Sequence, residues 1–334
     1  LIKIAALPGD GIGKEVVPET LKVLRALDVD FQFIELDAGY DCWNRRGENL
    51  PAETVSAMRE CKAALIGPFT TPVDEKDYKS TVMKIRKMFD LFANVRPAKS
   101  RPGISCIARN ADLVIVRENT EGLYSGIEWR TRDSACALRV ITVEGSERIA
   151  KVALELAGTR KKKLTIIHKA NILKESDGLF RETCLRISRS YPDIKVEEKF
   201  VDAATMSIVA SPESYDVLVT PNLYGDILSD LAAQVVGGIG LAPSASVGDE
   251  YAAFAPVHGS APDIAGKRIA NPIASILSGK MMLDYFGYGK EAVRLDEAVE
   301  GVLADTKVRT PDLGGTSKTS QVGDRIIEEL SRND

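Results

Sequence analysis

Short apolar runs alternate with amphipathic helical patterns along almost the whole chain, and this alternation limits the possible folds more than any other feature. Strand-like runs fall at residues 2–7, 31–36, 63–66, 113–116, 164–167 and 217–220. Several are apolar without alternation, as strands buried on both faces are. Helical periodicity fills the gaps. Val17, Leu21 and Leu24 share one face within 14–27, and Ile149, Val152, Ala153 and Leu156 share one within 146–157. Residues 227–236 and 273–286 also read as helix. The pattern predicts a layered α/β fold with a largely parallel sheet. A chain of 334 residues has length for about two domains. The Pro-, Gly- and charge-rich stretch 96–110 is the best candidate for a crossing between them, with a second near 237–243.

The net charge of −4 argues against a polyanion binder, so no nucleic-acid partner is expected. No apolar run approaches the roughly 20 residues of a membrane helix. Residues 1–7 read as a strand rather than a signal peptide. The five cysteines are odd in number and none is at CxxC spacing, which favours reduced thiols in a cytoplasmic protein. The basic run 160–163 reads as a solvated loop.

Gly9-Asp10-Gly11-Ile12-Gly13 follows a strand and opens a helix, but the last glycine of a dinucleotide fingerprint is replaced by Lys14. A tight turn needing positive φ is the better reading, and a classical Rossmann domain is not expected.

Asp226 and Asp230 stand four apart in GDILSD, where a helix puts both carboxylates on one face. Two readings stay open: a site for a hard divalent cation, Mg²⁺ or Mn²⁺, or an acidic first turn facing the helix dipole. Asp202 could add a third carboxylate or simply cap a turn. Arg86, Arg96 and Arg117 lie at strand or helix ends. Converging guanidinium groups suit a di- or tricarboxylate; singly, each fits a surface ion pair. Lys169 follows a buried strand and is a candidate for proton transfer, or an ordinary surface lysine.

In order, the chain carries LPGDGIGKEV, RKMFDLFANVRPAKS, VIVRENTEGLYSGIE, IIHKANIL, VDAATM, TPNLYGDILSDLAA, GLAPSASVGD, PVHGSAPDIAGKRIANPIASIL and TPDLGG. These motifs resemble the isocitrate, homoisocitrate and 3-isopropylmalate dehydrogenase family from Leu7 to about Gly315. The resemblance implies a two-domain isopropylmalate/isocitrate dehydrogenase-like α/β fold with its own nucleotide site. Residues 1–95 with 240–334 would form the large cofactor-binding domain. Residues 96–239 would form the smaller one, with dimer contacts and metal ligands. It further implies an NAD- and divalent-metal-dependent β-decarboxylating dehydrogenase, a homodimer or higher assembly whose active sites are shared between subunits.

Roles follow position by position from the resemblance. Arg86, Arg96 and Arg117 would bind substrate carboxylates. Tyr124 would protonate the enol, and Lys169, with Asp202, would take the hydroxyl proton. Asp202, Asp226 and Asp230 would hold Mg²⁺ or Mn²⁺, with Lys169 and Asp202 serving the partner's site. His258, Gly259, Ser260, Ala261, Pro262, Asp263, Ile264 and Asn271 would form the adenosine loop. Asp263, an acid positioned to accept from ribose hydroxyls, implies NAD rather than NADP. One departure stands out: Ala255 replaces a glutamate usual in the family beside His258, which removes a carboxylate near the cofactor.

The substrate's third substituent would be read by the segment before Arg86. Lys79 and Ser80 suit a distal carboxylate, and Val82 and Met83 suit methylenes. That mixture ranks homoisocitrate first, isocitrate second and 3-isopropylmalate third, with overlap expected because a methylene is worth only about 1–3 kcal/mol. The alternatives of another kind are a non-catalytic regulatory subunit, which would be expected to lose part of the Tyr, Lys and Asp set, and a metal-free Rossmann dehydrogenase.

Overall fold

The computed structural model describes residues 1–332. Among these described residues, twelve strands alternate with eleven α-helices. The strands are β1 (Ile2–Leu7), β2 (Phe31–Glu35), β3 (Ala63–Ile66), β4 (Ala93–Lys99), β5 (Asp112–Glu118), β6 (Glu128–Arg130), β7 (Ala135–Ala137), β8 (Lys163–His168), β9 (Lys195–Phe200), β10 (Val217–Thr220), β11 (Pro243–Val247) and β12 (Ala252–Pro256). Ten form one sheet in the order β2-β1-β3-β12-β11-β4-β5-β10-β8-β9, and β6-β7 is a separate exposed hairpin.

The α/β expectation holds, and β1, β3 and β10 occur at the expected residues. The largely parallel sheet holds as well, since six of the nine pairings in the main sheet are parallel. Both flanks are parallel, but the centre is antiparallel, through β11 with β12, β11 with β4 and β4 with β5. β11 and β12 are adjacent in sequence and joined by a short turn, which an antiparallel pair allows and a parallel pair does not. Residues 96–99, read as the start of a crossing, complete β4.

Hydrophobic burial follows this layout. One core joins Ile4, Leu21, Leu24 and Leu65 to Ile276, Leu295, Val302 and Ile326, so the beginning and end of the chain share it. Two others use residues between Phe92 and Val236. Each fully buried aliphatic side chain contributes about 1.5–3 kcal/mol. The helix Thr319–Arg332 shows how the pattern works: Val322, Ile326 and Leu330, four apart, bury one stripe while the other faces stay polar. No described helix is long and apolar enough to cross a membrane, and all five cysteines are free thiols.

Candidate active site

The adjacent antiparallel strands β4 and β5 carry Arg96 and Arg117, and the helix Asn222–Val235 lies across them. That helix starts at Asn222, so Asp226 lies past its first turn, which carries no acid. The acidic-first-turn reading therefore fails. Asp226 is instead held by tertiary contacts. It accepts from Arg96 Nη1 at 3.1 Å, from Arg117 Nη1 at short range, and from Tyr124 Oη at 2.6 Å. Arg117 is 1% exposed and donates through Nε and Nη2 to Asn222 Oδ1, at 3.1 and 2.7 Å. Its guanidinium also lies over the Tyr124 ring, 5.1 Å from the centroid. Arg96 is anchored by Asn94 at 2.5 Å and Ser229 at 2.7 Å, and reaches Asp230 at 3.6 Å.

Arg86, on the helix Thr81–Met88, completes the cluster differently. Its buried Nε has no hydrogen-bond partner among the described residues. Burial, with Arg117 and Arg96 close by, presses its pKa down to about 9, and burial with Arg117 brings Arg96 to about 10. Three guanidinium groups thus converge on one cleft, and one of them has an unused donor.

The two aspartates respond in opposite directions. Burial pushes Asp226 up, but Arg117 and Arg96 outweigh it, and its pKa ends below the usual value. Asp230 ends above, raised by burial and by Asp226 against the pull of Arg96. Burial, then the bond to Asp226, raises Tyr124, so its phenol keeps its proton.

Lys169 and Asp202 form a second, separate group. Lys169 Nζ meets Asp202 Oδ1 at 2.7 Å, and that bond lowers the pKa of Asp202, whose side chain is 66% exposed. The Lys169 backbone N–H donates to the fully buried Asp177 at 2.6 Å. Arg139 pairs with the other Asp177 oxygen at 2.7 Å and donates to Tyr224 Oη at 2.8 Å, which ties the Lys169 turn to the helix of Asp226. Among the described residues no three acidic, His or Cys side chains converge as a metal site, so Asp202 does not join Asp226 and Asp230 within one chain.

A cavity of about 190 Å³ beside the arginines is lined by Phe69, Val82, Arg86, Arg96, Ala255 and His258, among others. Of the four residues expected to read the substituent, only Val82 lines it. Lys79 is exposed and its carbonyl accepts from Asn49; Ser80 accepts from Thr71 at 3.3 Å; Met83 lies outside the lining.

The 258–264 loop follows β12 into the same cavity. His258 Nε2 is buried without a partner among the described residues, and burial lowers the pKa of its ring. Asp263 is exposed, and Ala261 adopts φ +40°. Asn271 donates to Asp312 at 2.9 Å. The glycine turn lies against this loop. Ile12 N–H donates to the Ser260 carbonyl at 2.9 Å, and Gly11, at φ +54°, has no room for a Cβ beside that oxygen. Asp10 accepts the backbone N–H groups of Tyr40, Asp41 and Thr70. Asn222, Ser229, Asn94 and Asp177 hold site residues, while Asp10 holds the backbone at Tyr40, Asp41 and Thr70, and no local pattern in the sequence marks any of the five. Their only signal was proximity to quoted motifs.

The family model for isocitrate/isopropylmalate dehydrogenase matches residues 3–326. The chain belongs to this family. It is 46% identical over 334 residues to the 3-isopropylmalate/3-methylmalate dehydrogenase of Methanocaldococcus jannaschii, covering 98% of each. It is 48% identical over 330 residues to the isocitrate/homoisocitrate dehydrogenase of Thermus thermophilus, again covering 98% of each. Among solved structures it matches an isocitrate dehydrogenase from Methylococcus capsulatus with a TM-score of 0.96, at 44% identity and 99% coverage of both chains. These relatives carry different substrate names at nearly equal identity, so likeness alone does not choose among substrates.

Proposed function

We propose that this member of the family is an NAD- and divalent-metal-dependent enzyme that oxidises a 3-substituted malate and expels one carboxyl as CO2. The observation carrying this reading is the cluster of Arg86, Arg96 and Arg117 on one cleft, with a free Arg86 Nε, beside Asp226, Asp230 and the protonated Tyr124.

The donor set fits a hard cation. Two carboxylates share a helix face, an oxygen donor set of the kind such a cation takes. A single chain provides two acids, so we assign the third ligand, Asp202, to a second copy, together with Lys169. Supporting this, Met206, Val209 and Ile227, on the helices that carry Asp202 and Asp226, are exposed apolar side chains. The NAD loop, from His258 to Ile264 with Asn271, fits through the unpartnered His258 Nε2 and the free Asp263 carboxylate. The division into residues 1–95 with 240–334, and 96–239, is supported by the core shared between the two chain ends. A cytoplasmic location agrees with the free thiols.

When bound, the cation supplies Lewis-acid polarisation of the hydroxyl and the nicotinamide a hydride acceptor. The chain does the rest. Arg86, Arg96 and Arg117 orient the substrate carboxylates. Lys169 of the second copy, with Asp202 bonded to it, takes the hydroxyl proton. Tyr124, which holds its proton against Asp226, delivers it to C3 once CO2 has left. Closure of the cleft would exclude water.

Homoisocitrate remains the first candidate on the residues of the 79–83 segment, of which Val82 alone lines the cavity and faces its methylenes. One observation favours 3-isopropylmalate instead: the cavity wall is Val82 and Phe69, with Lys79 outside it. Parallel kcat/KM measurements on homoisocitrate, isocitrate and 3-isopropylmalate, with Mg²⁺ or Mn²⁺ and with NAD or NADP, test both. Preference for homoisocitrate with NAD supports the main reading, and preference for 3-isopropylmalate assigns the apolar wall. Inertness toward all three would bring the regulatory-subunit reading forward.

A further inference from the structure

A second cavity, of about 630 Å³, opens at the C-terminal end of the helix Thr81–Met88. Phe89 and Tyr251 stack in its wall with ring centroids 4.3 Å apart and planes 25° from parallel. Tyr251 is 6% exposed, and its hydroxyl is buried without a hydrogen-bond partner among the described residues. Burial of a hydroxyl with no partner is costly and calls for a compensating ligand or role.

Charges of both signs surround this aromatic wall. Arg59 comes from the helix Ala52–Glu60, Lys62 from the residues after it, and Asp249 and Glu250 from the turn between β11 and β12. All four are exposed, and no ion pair engages any of them among the described residues. Arg59 instead lies over the Phe89 ring, 5.7 Å from its centroid. Asp90, also in the lining, is occupied by Arg148 at 2.6 Å. The two free acids disfavour a phosphate or a polycarboxylate. The two free cations disfavour a metal ion, and no metal cluster occurs here.

We propose that this cavity binds a small zwitterion of the amino-acid type and acts as an effector site. Arg59 and Lys62 would take its carboxylate, Asp249 and Glu250 its ammonium, and the Phe89–Tyr251 wall its apolar body. The site lies next to the helix that carries Arg86. Leu91 N–H donates to the Arg86 carbonyl at 2.8 Å, and Gly248 packs so tightly on Asp90 that a Cβ would sit 2.5 Å from its carbonyl oxygen. A ligand that shifts the β11–β12 turn therefore moves the foot of the Arg86 helix. This coupling rests on the substrate-binding reading of Arg86, but the binding itself does not.

Calorimetric titration of the full chain with the standard free amino acids, one at a time, tests the site. Saturable binding of at least one is expected. Its N-acetyl and amide derivatives, each missing one charge, should bind roughly tenfold more weakly or worse. Lys62→Ala and Glu250→Ala, at exposed side chains without ion pairs, should weaken it comparably. Absence of saturable binding, equal binding of the derivatives, or indifference to these substitutions overturns the site. With ligand bound, substrate KM should change while kcat holds, and binding without a KM change overturns the effector role. Binding to a chain inert as a dehydrogenase would still establish the site, so the two readings fail separately.

Discussion

Tyr124 Oη donates to Asp226 Oδ2 at 2.6 Å, and the same aspartate is bracketed by Arg96 and Arg117. The arrangement keeps the phenol protonated and the carboxylate ionised, side by side. On the proposed function, one is a proton reservoir and the other a charge available to a cation.

Tyr124→Phe removes that reservoir and leaves the arginines untouched. kcat is expected to fall about 100-fold or more, with substrate KM nearly unchanged. Steady-state kinetics on the preferred substrate decide it; a comparable loss confined to KM would make Tyr124 a binding residue.

The assignment of Lys169 to the neighbouring site predicts complementation between two inactive variants. Lys169→Ala and Tyr124→Phe chains, refolded together in equal amounts, form mixed dimers with one site free of either defect. Roughly a quarter of wild-type activity should return. If every site is built from one chain, mixing restores nothing.

Asp263 is exposed and its carboxylate has no ion-pair partner among the described residues. Asp263→Arg should lower kcat/KM for NAD by about tenfold or more and raise it for NADP, because a guanidinium repays a 2′-phosphate and not a ribose hydroxyl. Unchanged preference would move cofactor choice elsewhere in the loop.

Acid stability should depend on Asp296, where Arg101 bonds it at 2.7 Å and Lys99 lies 3.6 Å away, joining the segment after β4 to the helix Gly289–Ala304. Burial pushes Asp296 up, but Arg101 and Lys99 outweigh it and its pKa lies below the usual carboxylate value. A depressed folded-state pKa gives stability that is present above the unfolded value, about 4, and lost as pH falls through the folded one. Asp296→Asn should therefore cost about 1 kcal/mol near neutrality and nothing at low pH. Urea midpoints across pH measure this; a constant difference at all pH values would point to packing instead of charge.

The alternation of strands and helices was enough to establish the α/β class, because burying a strand on both faces leaves continuous apolar runs such as those of β3 and β10. Spacing alone placed Asp226 and Asp230 on one helix face, and the ordered motifs named the arginines, Tyr124, Lys169 and the 258–264 loop. β11 and β12 lack such runs. PSASV and AAFAP are small-residue segments with little local strand character, and they are strands because β3 and β4 pair with them. What Asp226 meets was also outside the reach of sequence. Arg96 lies 130 residues away and Arg117 lies 109 away, and no local periodicity encodes such pairings. The same holds for Asp177, a buried acid whose purpose, holding the Lys169 turn against Arg139, exists only once strand and helix have packed. Local chemistry determined which residues could act. The packing of β4, β5 and the helix Asn222–Val235 decided which of them meet, since electrostatic coupling depends on distance and burial rather than on order along the chain.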